Sequence, residues 1–232
     1  MTDFIFPPAD RPSLPVRGLS AQFPVRRIFC VGRNYAEHVR EMGRDPDRNP
    51  PFFFTKPADA LVQNNATIPY PTETANLHHE IELVIAIGTA GAAIPEAEAL
   101  SHVMGYAVGN DLTRRDLQMQ ARDEGRPWDT GKAFDASAPM TEILRADEIG
   151  HPERGAIWLD VDGTRKQEGD LAQLIWKLDE IVAACSRLWR LEPGDLIMTG
   201  TPAGIGPVTA GQTMTGGIAG FPDLVTRIGA AA

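Results

Sequence analysis

The stretch Leu77-His78-His79-Glu80-Ile81-Glu82-Leu83-Val84-Ile85-Ala86-Ile87 constrains the fold of this chain more than any other. Ile81, Leu83, Ile85 and Ile87 fall on one parity, and Glu80, Glu82, Val84 and Ala86 on the other. A strand has a side-chain period of two, so the pattern predicts a strand with both glutamates on one face. Two carboxylates side by side in an apolar strand repel each other unless something positive lies between them. A divalent cation answers that repulsion. Plain solvation of the face also answers it, and taken alone Glu-x-Glu reads more readily that way. A metal reading needs a third ligand, a base and a substrate clamp from the rest of the chain.

Length and composition set bounds. With 232 residues, 43% of them hydrophobic, the chain can bury the core of one large domain, or of a main domain with a small appendage. It contains no run of about 18 apolar residues, so no membrane span is expected. The N-terminus, MTDFIFPPADRP, has no basic region followed by an apolar stretch, so the expectation is no secretory signal and a cytoplasmic location. A net charge of −9 without a lysine-rich block argues against nucleic acid or an anionic membrane as partner. An acidic chain that handles an anionic substrate must then collect positive charge locally, from a metal and a few Lys or Arg. Cys30 and Cys185 lie far apart in apolar surroundings and read as buried free thiols.

Residues 1–25 carry Pro7, Pro8, Pro12, Pro15 and Pro24 among Phe4, Ile5, Phe6, Leu14 and Val16, and read as an extended arm that pairs with or wraps the body, residues 26–232. Arg27 to Gly32 reads as a buried strand. Asn34 reads as the cap of a short helix over roughly 35–43, which puts His38 and Glu41 on one helix face. The polar, Pro-rich segment 43–51 is long enough for a lid. Strands are expected over 51–57, over 104–111 (ending on a carboxylate) and over 195–199. Helices are expected over 96–103 and 114–124. Asp162-Gly163 predicts a hairpin over 157–168, and 171–191 reads as mostly helical. Strands predominate and helices are few and short, so the fold class is α+β, mainly β.

Asp111, at the end of an apolar strand, is the natural third carboxylate. Three carboxylates from two strands form a hard, all-oxygen site, which selects Mg²⁺, Mn²⁺ or Ca²⁺ over zinc. His78 shares the glutamate parity and His79 does not; both read as hydrogen-bonding or core residues rather than ligands. Gly200 to Gly206 lacks a Gly-Lys-Ser/Thr ending and a following amphipathic helix, so it reads as a tight turn that brings backbone close to a ligand. Asp116, Asp123 and Glu124 read as helix-surface charge.

Several motifs occur in one order from about Arg27 to the end of the chain: Val31-Gly32-Arg33-Asn34-Tyr35, His78-His79-Glu80-Ile81-Glu82, Gly105-Tyr106, Asp111 to Gln118, Lys132-Ala133-Phe134-Asp135 and Thr199 to Gly206. Together they resemble the fumarylacetoacetate hydrolase family. The resemblance implies a fumarylacetoacetase-type β-roll with a mixed sheet, assembled as a homodimer. It implies that Glu80, Glu82 and Asp111 hold Mg²⁺ (or Mn²⁺ or Ca²⁺), and that Lys132 sits beside the metal and contacts substrate. It implies that His38 and Glu41 are a catalytic pair that orients or deprotonates a water. Arg115 and Gln118 would contact a bound 2-oxo acid, and Thr201 its carboxylate.

The arm, together with Pro51 to Ala60, is most similar to bacterial members that act on fumarylpyruvate in gentisate breakdown. The expected reaction is therefore hydrolysis of a C–C bond in an acylpyruvate, a small anionic 2,4-dioxo acid. Water attacks C4, the C3–C4 bond breaks, and pyruvate leaves as an enolate that the cation chelates. The fumaryl carboxylate needs its own cation, for which Arg44, Arg48 and Arg126 are candidates by charge. Two alternatives stand beside this reading. One is a decarboxylase (of oxaloacetate, for example), isomerase or hydratase that passes through the same enolate; the other is a non-enzymatic metal-binding protein.

Overall fold

The computed structural model describes residues 3–43 and 49–231. The strand Ile81–Ile87 is buried along its whole length and lies in the interior of an eight-stranded mixed sheet. The order is Phe52–Lys56, Arg27–Gly32, Asp195–Met198, Ile81–Ile87, Val103–Asn110, Ala138–Met140, Leu61–Gln63, with Leu144–Arg145 also paired to Val103–Asn110. Asp195–Met198 runs parallel to Arg27–Gly32, and Ala138–Met140 runs parallel to Leu61–Gln63. The strand between them is antiparallel to both its neighbours.

Both faces of Ile81–Ile87 meet a core. Ile81, Leu83, Ile85 and Ile87 pack into a cluster shared with Ile157, Leu159, Met214 and Ile218 and with the helix Leu178–Leu188. The first four of these partners belong to a five-stranded sheet in the order Thr164–Asp170, Ala156–Val161, Thr213–Ile218, Leu224–Ala231, Thr67–Tyr70. On the opposite parity Val84 and Ala86 meet Ile28, Cys30, Leu196 and Met198. That second core is closed by Leu14 and Phe23 from the hairpin Ser13–Pro15/Gln22–Pro24, with Val16 and Val25 beside it. Each such aliphatic contributes roughly 1.5–3 kcal/mol through burial. The glutamate face is therefore not solvated. A carboxylate on it must be answered by hydrogen bonds and charge.

The structure departs from the sequence expectations at three places. Leu77 to Ile87 is not one strand. Leu77–His79 belongs to a small sheet with Thr113–Arg114 and Gly206–Val208, and the chain steps between sheets at Glu80. The step is stabilised because the Glu80 N–H donates to Asn110 Oδ1 (2.8 Å) and its carbonyl accepts from the Asp111 N–H (2.8 Å). Asn34 does not cap the helix Ala36–Glu41. Its side chain instead donates to the Thr199 carbonyl at 2.8 Å and accepts from the Trp176 N–H at 2.7 Å, while its own carbonyl accepts from the Ile175 N–H. Those bonds draw 175–176 out of helical geometry, so the expected 171–191 helix is a single turn, Leu171–Gln173, followed by Leu178–Leu188.

Of the expected lid, residues 44–48 lie outside the described residues. Cys30 and Cys185 are buried free thiols. Among the described residues no helix is long and apolar enough to cross a membrane. The largest exposed apolar side chains include Phe4, Ile5 and Phe6.

Candidate active site

Glu80 and Glu82 leave the step between the two sheets on the same side, and Asp111 follows directly on the neighbouring strand Val103–Asn110. Each residue offers a ligand oxygen, and the three oxygens lie within 4.8 Å of one another, all three side chains buried. The cationic partners are buried as well. Lys132 Nζ bridges Glu80 Oε2 (2.8 Å) and Asp111 Oδ2 (2.6 Å) and also donates to Thr113 Oγ1 (2.7 Å). Arg115 donates to Glu80 Oε1 and to Gln118 Oε1. Lys56 Nζ lies 2.9 Å from Asp111 Oδ1 and donates to the carbonyl oxygens of Leu112 and Lys132. Lys132 ends the short helix Asp129–Lys132, which presses against the helix Arg115–Asp123. A Cβ on Gly131 would come within 2.7 Å of the Gln118 nitrogen, so glycine is what permits that approach.

This network separates the two glutamates. Burial opposes ionisation of Glu80, but Lys132 and Arg115 outweigh it and hold the carboxyl well below its ordinary range. Glu82 has no lysine or arginine partner among the described residues and accepts from the Gly200 N–H (2.7 Å). Burial, then the charges of Asp111 and Glu80, push it well above the ordinary range. Gly200 has φ +100°, and a Cβ there would strike Asn34 at 2.7 Å, so the turn that delivers this N–H requires glycine. The donor set is all oxygen and buried, and one carboxylate lacks a cationic partner. It therefore fits a hard divalent cation.

Around the triad lies a cleft that is partly open to solvent. Its lining includes His38, Phe54, Arg115, Gln118, Trp128 and Thr201 as well as the triad and Lys132. His38 Nδ1 is 3.2 Å from Glu41 Oε2, and Glu41 also accepts from the Gly204 N–H at 3.1 Å. Burial opposes ionisation of Glu41, but the His38 and Gly204 hydrogen bonds lower its pKa overall. Arg33 enters the cleft from a left-handed backbone, φ 60°, a conformation that costs a non-glycine residue on the order of 1 kcal/mol.

The structure thus brings His38, Glu80, Glu82, Asp111, Arg115, Gln118, Lys132 and Thr201 to one cleft, with Glu41 behind His38. His78 and His79 stand outside the triad. His78 bonds Asn76 Oδ1 (2.9 Å), and burial with nearby Arg115 lowers its pKa to about 4. Asp116 is not mere surface charge: it accepts from Thr74 Oγ1 and the Ala75 N–H and so ties its helix to the preceding loop.

Sequence reasoning missed four residues: Lys56, Asn110, Thr113 and Gln167. A lysine closing the Phe-rich strand Phe52–Lys56 was a signal of the same kind as Lys132 in its apolar run. Gln167, between Lys166 and Glu168 on a hairpin strand, offered none, yet it is fully buried. Its Oε1 accepts from the Ile81 N–H (3.1 Å), and its Nε2 donates to the Pro202 carbonyl (2.9 Å). Backbone groups at both ends fix the amide orientation. His79 Nδ1, 2.8 Å from the same Oε1, must then carry the proton. Thr201 Oγ1 accepts from Nε2 at 2.8 Å, so the Thr201 hydroxyl hydrogen is left to point at an acceptor in the cleft.

Comparison with known proteins finds relatives of this chain and of its fold. Residues 27–229 match the family described as fumarylacetoacetate (FAA) hydrolase, C-terminal. A fumarylpyruvate hydrolase of Ralstonia sp is 45% identical over 192 residues, which is 82% of this chain and 100% of the relative. The mitochondrial oxaloacetate tautomerase of Homo sapiens is 39% identical over 203 residues, 88% of this chain and 91% of the relative. The crystal structure of fumarylpyruvate hydrolase from Pseudomonas aeruginosa in complex with Mn²⁺ and pyruvate superposes with a TM-score of 0.95 at 52% identity, covering 98% of this chain and 100% of that one. The mixed-sheet, mainly β fold described above is the fold of that structure.

Proposed function

We propose that this chain, which belongs to the fumarylacetoacetate hydrolase family, hydrolyses a C–C bond of an acylpyruvate, and that its reaction is fumarylpyruvate plus water to fumarate plus pyruvate. The observation that carries this reading is that the carboxylate triad and His38, with Glu41 hydrogen-bonded behind it, meet at one cleft. Charge supports a diacid. Three carboxylates stand against Lys56, Lys132 and Arg115, so a divalent cation leaves two positive charges for a substrate to balance. Buried charge is tolerated only when paired, and a 2,4-dioxo diacid brings two negative charges.

Glu80, Glu82 and Asp111 would hold Mg²⁺ or Mn²⁺, which would supply Lewis acidity to a bound 2-oxo acid. The Thr201 hydroxyl donates to the proximal carboxylate, and so does the Gln118 amide nitrogen, since Arg115 occupies Gln118 Oε1. Glu41 accepts the Nδ1 proton of His38, which leaves Nε2 as the base toward the cleft. His38 takes a proton from water and the water oxygen bonds to C4. The C3–C4 bond breaks, and its electron pair spreads over C3 and the C2 oxygen beside the Lys132 ammonium. His38 returns the proton to C3. Charge that develops only as the bond breaks is what the buried ammonium stabilises.

The likeness to an oxaloacetate tautomerase favours a second reading on the same residues. Proton movement at C3 of an oxo acid requires the enol-stabilising groups but no water attacking a carbonyl. Assays of the metal-loaded enzyme on fumarylpyruvate, acetylpyruvate and oxaloacetate separate the two. Replacement His38→Ala should lower hydrolysis by about 10²–10⁴-fold while changing oxaloacetate decarboxylation, which needs no activated water, far less. A wild-type enzyme that processes oxaloacetate and releases no pyruvate from either acylpyruvate would replace the first reading by the second.

A further inference from the structure

The two ends of the cleft differ in what they can hold. On the helix Arg115–Asp123, the residues Arg115, Gln118 and Arg122 are spaced three and four apart and so share one face, and all three line the cleft. Arg115, at the floor, is committed to Glu80 and Gln118. Arg122 lies two turns further along, about 10 Å away at 1.5 Å rise per residue. It donates through Nε and Nη2 to Asp123 Oδ1 at 2.8 and 2.7 Å, and to no other residue among those described. The Asp123 side chain is 63% exposed, and pairs of that kind are worth at most about 1 kcal/mol. The Arg122 guanidinium can therefore pass to a better-desolvated carboxylate at little cost. Arg33, the other arginine at the outer cleft, is held over the Phe52 ring at 5.2 Å and has further partners. Of the arginines that charge alone suggested, Arg126 does not line the cleft and pairs with Glu124; Arg44 and Arg48 lie outside the described residues.

We infer that Arg122 is the specificity-determining residue for a diacid: it takes the distal carboxylate of the acyl group. The inference rests on the acylpyruvate reading and deepens it. An extended seven-carbon diacid spans roughly 7.5 Å between its carboxyl carbons, at about 1.25 Å of advance per C–C bond. With one carboxylate at Thr201 and the floor, the other reaches a guanidinium two helical turns out. A trans enoyl chain cannot fold back, so its distal carboxylate arrives extended, between the apolar walls of Met119 and Trp128. Guanidinium meets carboxylate through two parallel N–H···O bonds, which a monoacid cannot accept at that end. Of the two positive charges left by a bound divalent cation, one is met by the proximal carboxylate. The distal carboxylate meets the charge of the Arg122 guanidinium itself.

Steady-state kinetics with Mg²⁺ on fumarylpyruvate and on acetylpyruvate, for wild type, Arg122→Met, Arg122→Lys and Arg33→Met, test this. Arg122→Met should raise KM for fumarylpyruvate by about 10- to 150-fold, the worth of a charged hydrogen-bond pair. It should change kcat by less than about threefold and leave both constants for acetylpyruvate in place, with Arg122→Lys recovering part of the loss. Equal losses on the two substrates, or none on fumarylpyruvate, overturn the inference, as does loss of diacid preference in Arg33→Met with none in Arg122→Met. A wild-type enzyme inactive on both acylpyruvates overturns the hydrolase reading and this inference with it. A wild-type enzyme active on both, with Arg122→Met indistinguishable from it, overturns this inference alone.

Discussion

At the floor of the cleft Glu80, Glu82, Asp111, Lys56 and Lys132 are each at most 5% exposed; the first four stand at or beside strand ends, and Lys132 ends the short helix Asp129–Lys132. At the wall and mouth, a third of the Glu41 side chain and a quarter of the Arg122 side chain face solvent, and both sit on short helices and pair with close neighbours in the chain. The same types of charge pair therefore have different weight in the two regions. Unscreened pairs at the floor belong to the fold as much as to the chemistry, because removing one partner leaves a buried charge uncompensated. Screened pairs at the mouth can be remade when a ligand arrives, at small cost to the fold. The floor is suited to a fixed reaction and the mouth to a choice of substrate.

The largest expected effect tests whether the floor itself divides. Asp111→Asn removes the carboxylate shared by Lys132 and Lys56, and should destabilise the metal-free protein by about 3–5 kcal/mol. Glu82→Gln removes a carboxylate that Asp111 and Glu80 repel and that no lysine or arginine answers among the described residues. The amide oxygen still accepts from the Gly200 N–H, so the cost should stay below about 1 kcal/mol. Both variants should lose cation-dependent turnover. Urea unfolding in the presence of a chelator reads the contrast. Equal destabilisation would mean that Glu82 supports the fold like its neighbours and is not reserved for a cation.

The same division governs what could be read before the fold was known. The Glu80/Glu82 alternation, Asp111 at a strand end, and Lys132 in a tight apolar run were legible because burial forces charge into recognisable local company. The break at Glu80 was not legible. Both halves have strand periodicity, and only the Asn110 side chain, brought alongside by a strand some thirty positions away, ends the ladder there. Asn34 failed as a helix cap for a related reason. A local rule offered it the next helix, but Trp176 and Thr199, distant in sequence, satisfy its amide more completely. At the mouth, net charge nominated Arg44, Arg48 and Arg126, whereas helix phase places Arg122 on the cleft face with Arg115 and Gln118. Applying the helical period to 114–124 would have found it.

An intermediate effect is expected where floor and substrate meet. Gln167 leaves the Thr201 hydroxyl only the role of donor toward the cleft, so Thr201→Val should raise KM for an acylpyruvate by about tenfold, the worth of one hydrogen bond to a charged group, with kcat nearly constant. Gln167→Leu should raise KM similarly, because the freed hydroxyl can turn to the Pro202 carbonyl. It should also cost stability, since the Ile81 N–H and His79 Nδ1 lose their acceptor. In the double variant the two KM effects should fall well short of additive. Full additivity would separate Gln167 from the orientation of Thr201.

The smallest effect probes the screened region directly. Burial works against the Glu41 carboxylate, but the His38 and Gly204 hydrogen bonds prevail and lower its pKa. A carboxylate whose folded pKa is depressed adds stability above its unfolded pKa, near 4.3 for an ordinary glutamate, and that stability is lost as pH falls through the folded value. With a third of the side chain exposed, the contribution should be only about 0.5 kcal/mol. Glu41→Gln should accordingly be less stable than wild type by that amount at pH 7, and the two should converge as the pH is lowered below about 4. Urea midpoints at pH 7 and pH 3 measure both ends. A gap that persists in acid would assign Glu41 to packing rather than charge. A gap of several kcal/mol at pH 7 would place the His38–Glu41 pair with the floor, and the boundary between fixed chemistry and adjustable mouth would then run outside it.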